Sequence, residues 1–112
     1  MTNVLILARE DIIAALLGLL VELRGFRPIY AKRGENAVEA CERTACQKIV
    51  IDCDHSAYSP RALTTLKNAG ICVILFSPSR IEADVRDAAN KHRFSTFTLP
   101  IGPEAFGKLL DA

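Results

Sequence analysis

The sequence predicts an α/β domain in which one parallel β-sheet is covered by helices on both faces. Three observations lead there. Apolar runs and helical patterns alternate five times along the 112 residues, a length that suits a single domain, 1–112, with one buried core. The runs "KIVID" and "ICVILF" are almost continuously apolar and rich in Ile and Val, as strands buried on both faces must be. Glycine and proline fall at the expected helix boundaries.

In chain order, strands are expected at Val4–Leu7, Arg27–Ala31, Lys48–Ile51, Cys72–Phe76 and Ser95–Thr98. Helices are expected between and after them at Asp11–Arg24, Gly34–Thr44, Pro60–Asn68, Ile81–Lys91 and Pro103–Leu110. The first helix opens on acidic residues, which suit the positive end of its dipole, and Gly25 follows it as a stop. Gly70 plays the same part after the third helix. Pro60 and Pro103 stand at the first turn of theirs, where a fixed φ costs nothing. Right-handed crossovers leave few ways to wind five such units. The flavodoxin-like order 2-1-3-4-5 is a common solution, with its switch point between the first and third strands. The segments "ARED" after strand one and "DCDH" after strand three should then face each other across a crevice.

The first helix has more apolar surface than one sheet face can cover, since its large residues occupy well over half the circumference at 3.6 residues per turn. The surplus suggests a subunit contact, expected at Ile13, Leu17 and Val21. The strand-five side, with the fourth and fifth helices, is a second expected contact surface.

Composition removes several classes of function. The net charge is +1 with both signs dispersed, so neither nucleic acid nor an anionic membrane is expected as a partner. The longest apolar run, Ile12–Val21, is about half of a membrane span and follows acidic residues, which excludes a signal peptide and points to the cytoplasm. There Cys41, Cys46, Cys53 and Cys72 are expected as reduced thiols. They form no C-x-x-C pair, and neither His55 nor His92 completes a set, so no metal or other cofactor is expected. Cys53 lacks a paired base and reads as a small buried hydrophobe, while His55 reads as a solvated loop residue. Lys32, Arg33, Lys48, Arg61 and Lys67 read as scattered solvated charges.

Several local signatures resemble the receiver domains of two-component response regulators, the CheY-like family. "ELRGFRPIYAKRGENAVEAC" resembles the end of that family's first helix, its Gly-aromatic turn, second strand and second helix. "KIVIDCD" resembles the strand ending in the phosphoacceptor aspartate, which falls on Asp52. Phe76-Ser77 stands where the family carries a Ser or Thr, and "LPIGPEAFGKLL" resembles the close of strand five and the last helix.

The resemblance implies phosphoryl transfer to Asp52 with Mg²⁺ held by an acid pair, and a lysine neutralising the phosphoryl group. This sequence departs from that set. The acid pair falls on Ala8 and Arg9, and the lysine on Leu99. What remains is Asp52, Ser77, the neighbouring Asp54 and Glu10, with Arg9 placed to form an ion pair with Asp52 where the metal would sit. Ser77, before a proline, also suits a simple loop turn.

The expected function is therefore an atypical or pseudo-receiver, a phosphorylation-independent protein-interaction module of a signalling pathway. It would act as a homodimer without catalytic residues and bind Mg²⁺ weakly or not at all. One alternative is a working phosphoacceptor in which Glu10, Asp11 and Asp54 replace the missing acids. Another is a flavodoxin-like domain that binds a small molecule, against which stands the lack of glycine in "ARED".

Overall fold

The computed structural model describes residues 2–111. Five strands and five helices alternate, as expected: β1 Asn3–Leu7, α1 Asp11–Leu23, β2 Arg27–Tyr30, α2 Ala37–Thr44, β3 Lys48–Asp52, α3 Pro60–Asn68, β4 Cys72–Ser77, α4 Ala83–His92, β5 Ser95–Thr98 and α5 Pro103–Asp111. The strands form one parallel sheet in the order β2-β1-β3-β4-β5. This is the CheY-like, flavodoxin-like arrangement. Among the described residues no helix is long and apolar enough to cross a membrane.

Strand side chains alternate between faces, so each apolar run feeds two cores. Leu5, Leu7, Ile49, Ile51, Val73 and Leu75 point to the face covered by α2, α3 and α4, where Ala40, Leu63 and Ala89 meet them. Val4, Ile6, Val50, Ile74 and Phe76 point to the other face, against Leu17 and Val21 of α1 and Phe106 and Leu110 of α5. Burial on both faces is the physical reason "KIVID" and "ICVILF" lack polar alternation.

Helix ends follow two chemistries. α1 and α3 stop at Gly25 and Gly70, whose φ values of +87° and +91° only glycine adopts without strain. α2 and α4 end instead on Ala45 and Arg93 in the left-handed region, at φ 52° and 60°, with no glycine to announce the stop. The start of α2 is Ala37, three residues later than expected, because Asn36 and Glu39 form a reciprocal capping box. Gly34 belongs to the preceding loop.

The orientation of α1 corrects one expectation. Leu17 and Val21, expected at a subunit contact, are fully buried against the sheet, and Ile13 is half-buried. The exposed apolar face is Ile12, Leu16, Leu19 and Leu23, between 46% and 77% accessible. The two faces of a helix apolar nearly all round cannot be told apart by periodicity. The helix turned so that Gly18 faces β2, where Tyr30 lies so close that a β-carbon at position 18 would collide with its hydroxyl.

α1 is tied to α5 at its other end. Arg24 lies across Gly107 and forms an ion pair with Asp111. Its exposure makes this contact a positioning device more than a source of stability.

Candidate functional site

Parallel strands deliver their carboxyl ends to one edge of the sheet, and the registers Leu7↔Ile51 and Asp52↔Phe76 align three of those ends. Asp52, the last residue of β3, is 1% exposed. Both of its carboxylate oxygens accept main-chain hydrogen bonds. The Arg9 N–H donates to Oδ2 at 3.4 Å, and the Asp54 N–H donates to Oδ1 at 2.9 Å. Beyond it, the N–H of His55 donates to the Asp52 carbonyl, and the N–H of Tyr58 donates to the His55 carbonyl. The carboxylate is thus buried but satisfied, as a buried charge must be.

The β1–α1 and β3–α3 segments do face each other here, as their place at the switch point requires. Ala8 is half-buried and packs on the α1–α5 core, presenting a methyl group where a metal ligand would need an oxygen. Glu10 is exposed and caps α1 through its carbonyl, which accepts the Ala14 N–H, and its side chain makes no capping bond. Asp54 is exposed. Ser77, 4% exposed, accepts the Ser79 N–H at 3.4 Å through Oγ, which is the turn role. Leu99 is half-buried in the α1–α5 core, and its N–H donates to the Ser77 carbonyl.

The ion pair expected between Arg9 and Asp52 is not made. The main-chain N–H of Arg9 meets the carboxylate, while its side chain is exposed and lines an open crevice of about 600 Å³. Burying a guanidinium beside Asp52 would cost its hydration, and the backbone bonds already satisfy the acid. The crevice gathers two charges that sequence reading left scattered. Lys32 and Arg33, on the β2–α2 loop, stand around it with Arg9, Asp11 and His55. The signal for them was their place directly after strand two, whose end lies beside that of β1. Across the loop, Glu35 accepts from Arg43 at 2.7 Å and from the Lys32 N–H, and these bonds hold its carboxyl down at about 2.

As a metal site the pocket is poor. Asp52 is its one buried carboxylate, and both oxygens are engaged by backbone donors. Among the described residues no cluster of three or more His, Cys, Asp and Glu side chains converges. Mg²⁺ needs several oxygen ligands in near-octahedral array, and this set does not fit it.

Cys53, next to Asp52, is pushed up to about 11 by burial and by the charges of Asp52 and Asp54, so at neutral pH it is a thiol and a poor nucleophile. His55 is more than the solvated residue expected. Its Nδ1 accepts the Ala57 N–H at 2.9 Å, and burial lowers its pKa from the usual 6.5 despite the opposing pull of Asp52. A histidine more acidic in the folded chain binds fewer protons there than in the unfolded one. Its stabilising effect is therefore complete above pH 6.5 and declines as pH falls below that value. The melting temperature should fall on acidification with a slope that His55→Gln reduces. An unchanged slope in that variant would assign the acid sensitivity to other groups.

No protein-family model matches the sequence, and no curated protein matches it. Solved structures do match in fold. A LuxR-family DNA-binding response regulator from Staphylococcus aureus superimposes with a TM-score of 0.80 at 13% identity, covering 99% of this chain and 97% of that one. The chemotaxis protein CheY4 of Vibrio cholerae gives 0.75 at 13% identity, with 99% and 97% covered. A protein named for pilus assembly from Burkholderia thailandensis gives 0.73 at 21% identity, with 99% and 96% covered. The chain thus has the fold of response-regulator receiver domains over its whole described length.

Proposed function

We propose that this chain is a pseudo-receiver, a module of signal transduction that works by binding protein and not by accepting a phosphoryl group. The observation that carries this reading is the state of Asp52. It is buried, both its oxygens accept hydrogen bonds from backbone N–H groups, and Ala8, Arg9 and Leu99 stand at the positions where the receiver resemblance puts acids and a lysine. A phosphoryl transfer needs positive charge arranged around the transferred oxygens, which metal and lysine would otherwise supply. Arg9 directs its side chain to the open crevice instead.

The binding partner includes a second copy of the chain. Ile12, Leu16, Leu19 and Leu23 are spaced four, three and four residues apart, which is the seam of a helix pair. Exposed Ala15 beside the seam lets a second helix approach closely. A surface of this shape complements itself, as a two-fold interface requires.

Acetyl phosphate with Mg²⁺, and beryllium fluoride as a phosphoryl mimic, test the first part. Neither should add mass to the chain or perturb amide signals near Asp52. A mass gain lost in Asp52→Asn would replace this reading with that of a working phosphoacceptor.

A further inference from the structure

We infer that Cys41 and Cys46 are a built dithiol site that closes to an intramolecular disulfide through exchange with a low-molecular-weight thiol–disulfide couple of the glutathione class. Their sulfurs lie 2.7 Å apart. Side chains that merely pack together stay about 3.5–4 Å apart or more, whereas a disulfide bond is about 2.05 Å. Bond formation thus asks for a shift of about 0.7 Å.

The backbone produces this approach. α2 ends at Ala45 in the left-handed conformation, and the N–H groups of Ala45 and Cys46 both turn back to the Cys41 carbonyl, the latter at 3.3 Å. The Cys41 thiol in turn points to the Cys46 carbonyl at 3.6 Å. In this kind of helix terminus the two flanking positions normally share a hydrophobic contact. Here both positions are cysteine, and both are buried, at 6% and 4% exposure.

The exchange balances simply. One molecule of small disulfide enters. A thiolate of the pair attacks it to give a mixed disulfide and one small thiol, and the second cysteine then displaces the other small thiol. Each protein sulfur is oxidised by one electron, the small disulfide is reduced by two, and the two protons leave on the small thiols. Burial keeps the Cys46 thiol protonated far above the usual thiol range, so equilibration is slow and needs opening of the last turn of α2. The reduced thiols expected from the sequence are one end of this equilibrium, and the redox poise decides which end is occupied.

The test equilibrates the full chain in glutathione buffers of graded ratio, then quenches, unfolds and alkylates it. Two of the four thiols should be lost together, with a mass about 2 Da below the reduced chain before alkylation and a digest linking Cys41 to Cys46. A Cys53→Ser, Cys72→Ser double variant should behave identically. The equilibrium constant in the native chain should exceed that in concentrated urea by about 40-fold, because the fold has already closed the loop. Four reactive thiols at every ratio overturn the inference. So do stable mixed disulfides, a link through Cys53 or Cys72, or equal constants with and without urea.

Discussion

If the chain pairs through α1 as proposed, replacing Leu19 with glutamate is expected to convert that dimer to monomer without unfolding the chain. Leu19 is 55% exposed at the middle of the α1 stripe, so in the isolated chain its side chain makes little of the core. Surface substitutions of this kind stay within about 0.5 kcal/mol in stability. At a two-fold interface the change acts twice. It removes two side chains, each 55% exposed in the isolated chain, from further burial worth about 0.8–1.6 kcal/mol each, and sets two carboxylates near one another. The dissociation constant of the proposed dimer should rise by at least about 10-fold. Sedimentation equilibrium over a concentration series measures it. A wild type that is monomeric across the series overturns the proposed self-association, and if both are equally dimeric, the interface lies elsewhere.

Truncating Phe106 to alanine should have the larger effect on the fold. Its ring is fully buried on α5 and meets Phe97 edge-on, at 5.4 Å between centroids. Phe97 stacks on Phe76 of β4 at 5.2 Å, so three aromatic rings join α5 to the sheet. Removing one such ring costs about 3–5 kcal/mol through lost burial and the cavity left behind. A domain of this size has about 5–15 kcal/mol in all. Urea denaturation should show the loss as a much lower midpoint, with Phe106→Leu recovering most of it. A loss below about 1 kcal/mol would mean that α5 is not docked as described.

The two variants separate structure from recognition on neighbouring helices. Phe106 is hidden in the monomer and Leu19 is 55% exposed, so the first is expected to act on the fold and the second on the proposed interface. Residue type alone could not assign those roles, since both are large apolar residues in helices. A burial difference assigned them.

Reading the sequence worked best where a local signal matched a global need. The two continuous apolar runs suited strands covered on both faces, and five alternations made the order 2-1-3-4-5 a common solution. Strand ends put the segments after β1 and β3 opposite each other, because the carboxyl end of a parallel strand is a fixed position in the fold; the site positions of Asp52, Ala8 and Leu99 come from the resemblance to receiver domains. The helix stops at Gly25 and Gly70 were legible because glycine has a backbone preference of its own. The ends of α2 and α4 were also met, at Thr44 and within one residue of His92, but the left-handed Ala45 and Arg93 that close them were not legible, because neither residue type announces that conformation.

What sequence could not reach was direction. Arg9 was correctly placed beside Asp52, yet whether its backbone or its guanidinium meets the acid depends on solvation at the mouth of the crevice. Lys32 and Arg33 looked scattered because their neighbours at the crevice come from other loops. Cys41 and Cys46 were expected only as two of four reduced thiols, and it is the turn at Ala45 that brings their sulfurs together.

The sequence by itself determined the class of fold and the order of its elements, since patterning decides those, and it put Ala8 and Arg9, not acids, after the first strand. Only the tertiary structure decided which side of α1 faces the sheet, how Asp52 is satisfied and which cysteines meet. Those outcomes are set by packing and solvation among residues distant in the chain, and no local pattern encodes them.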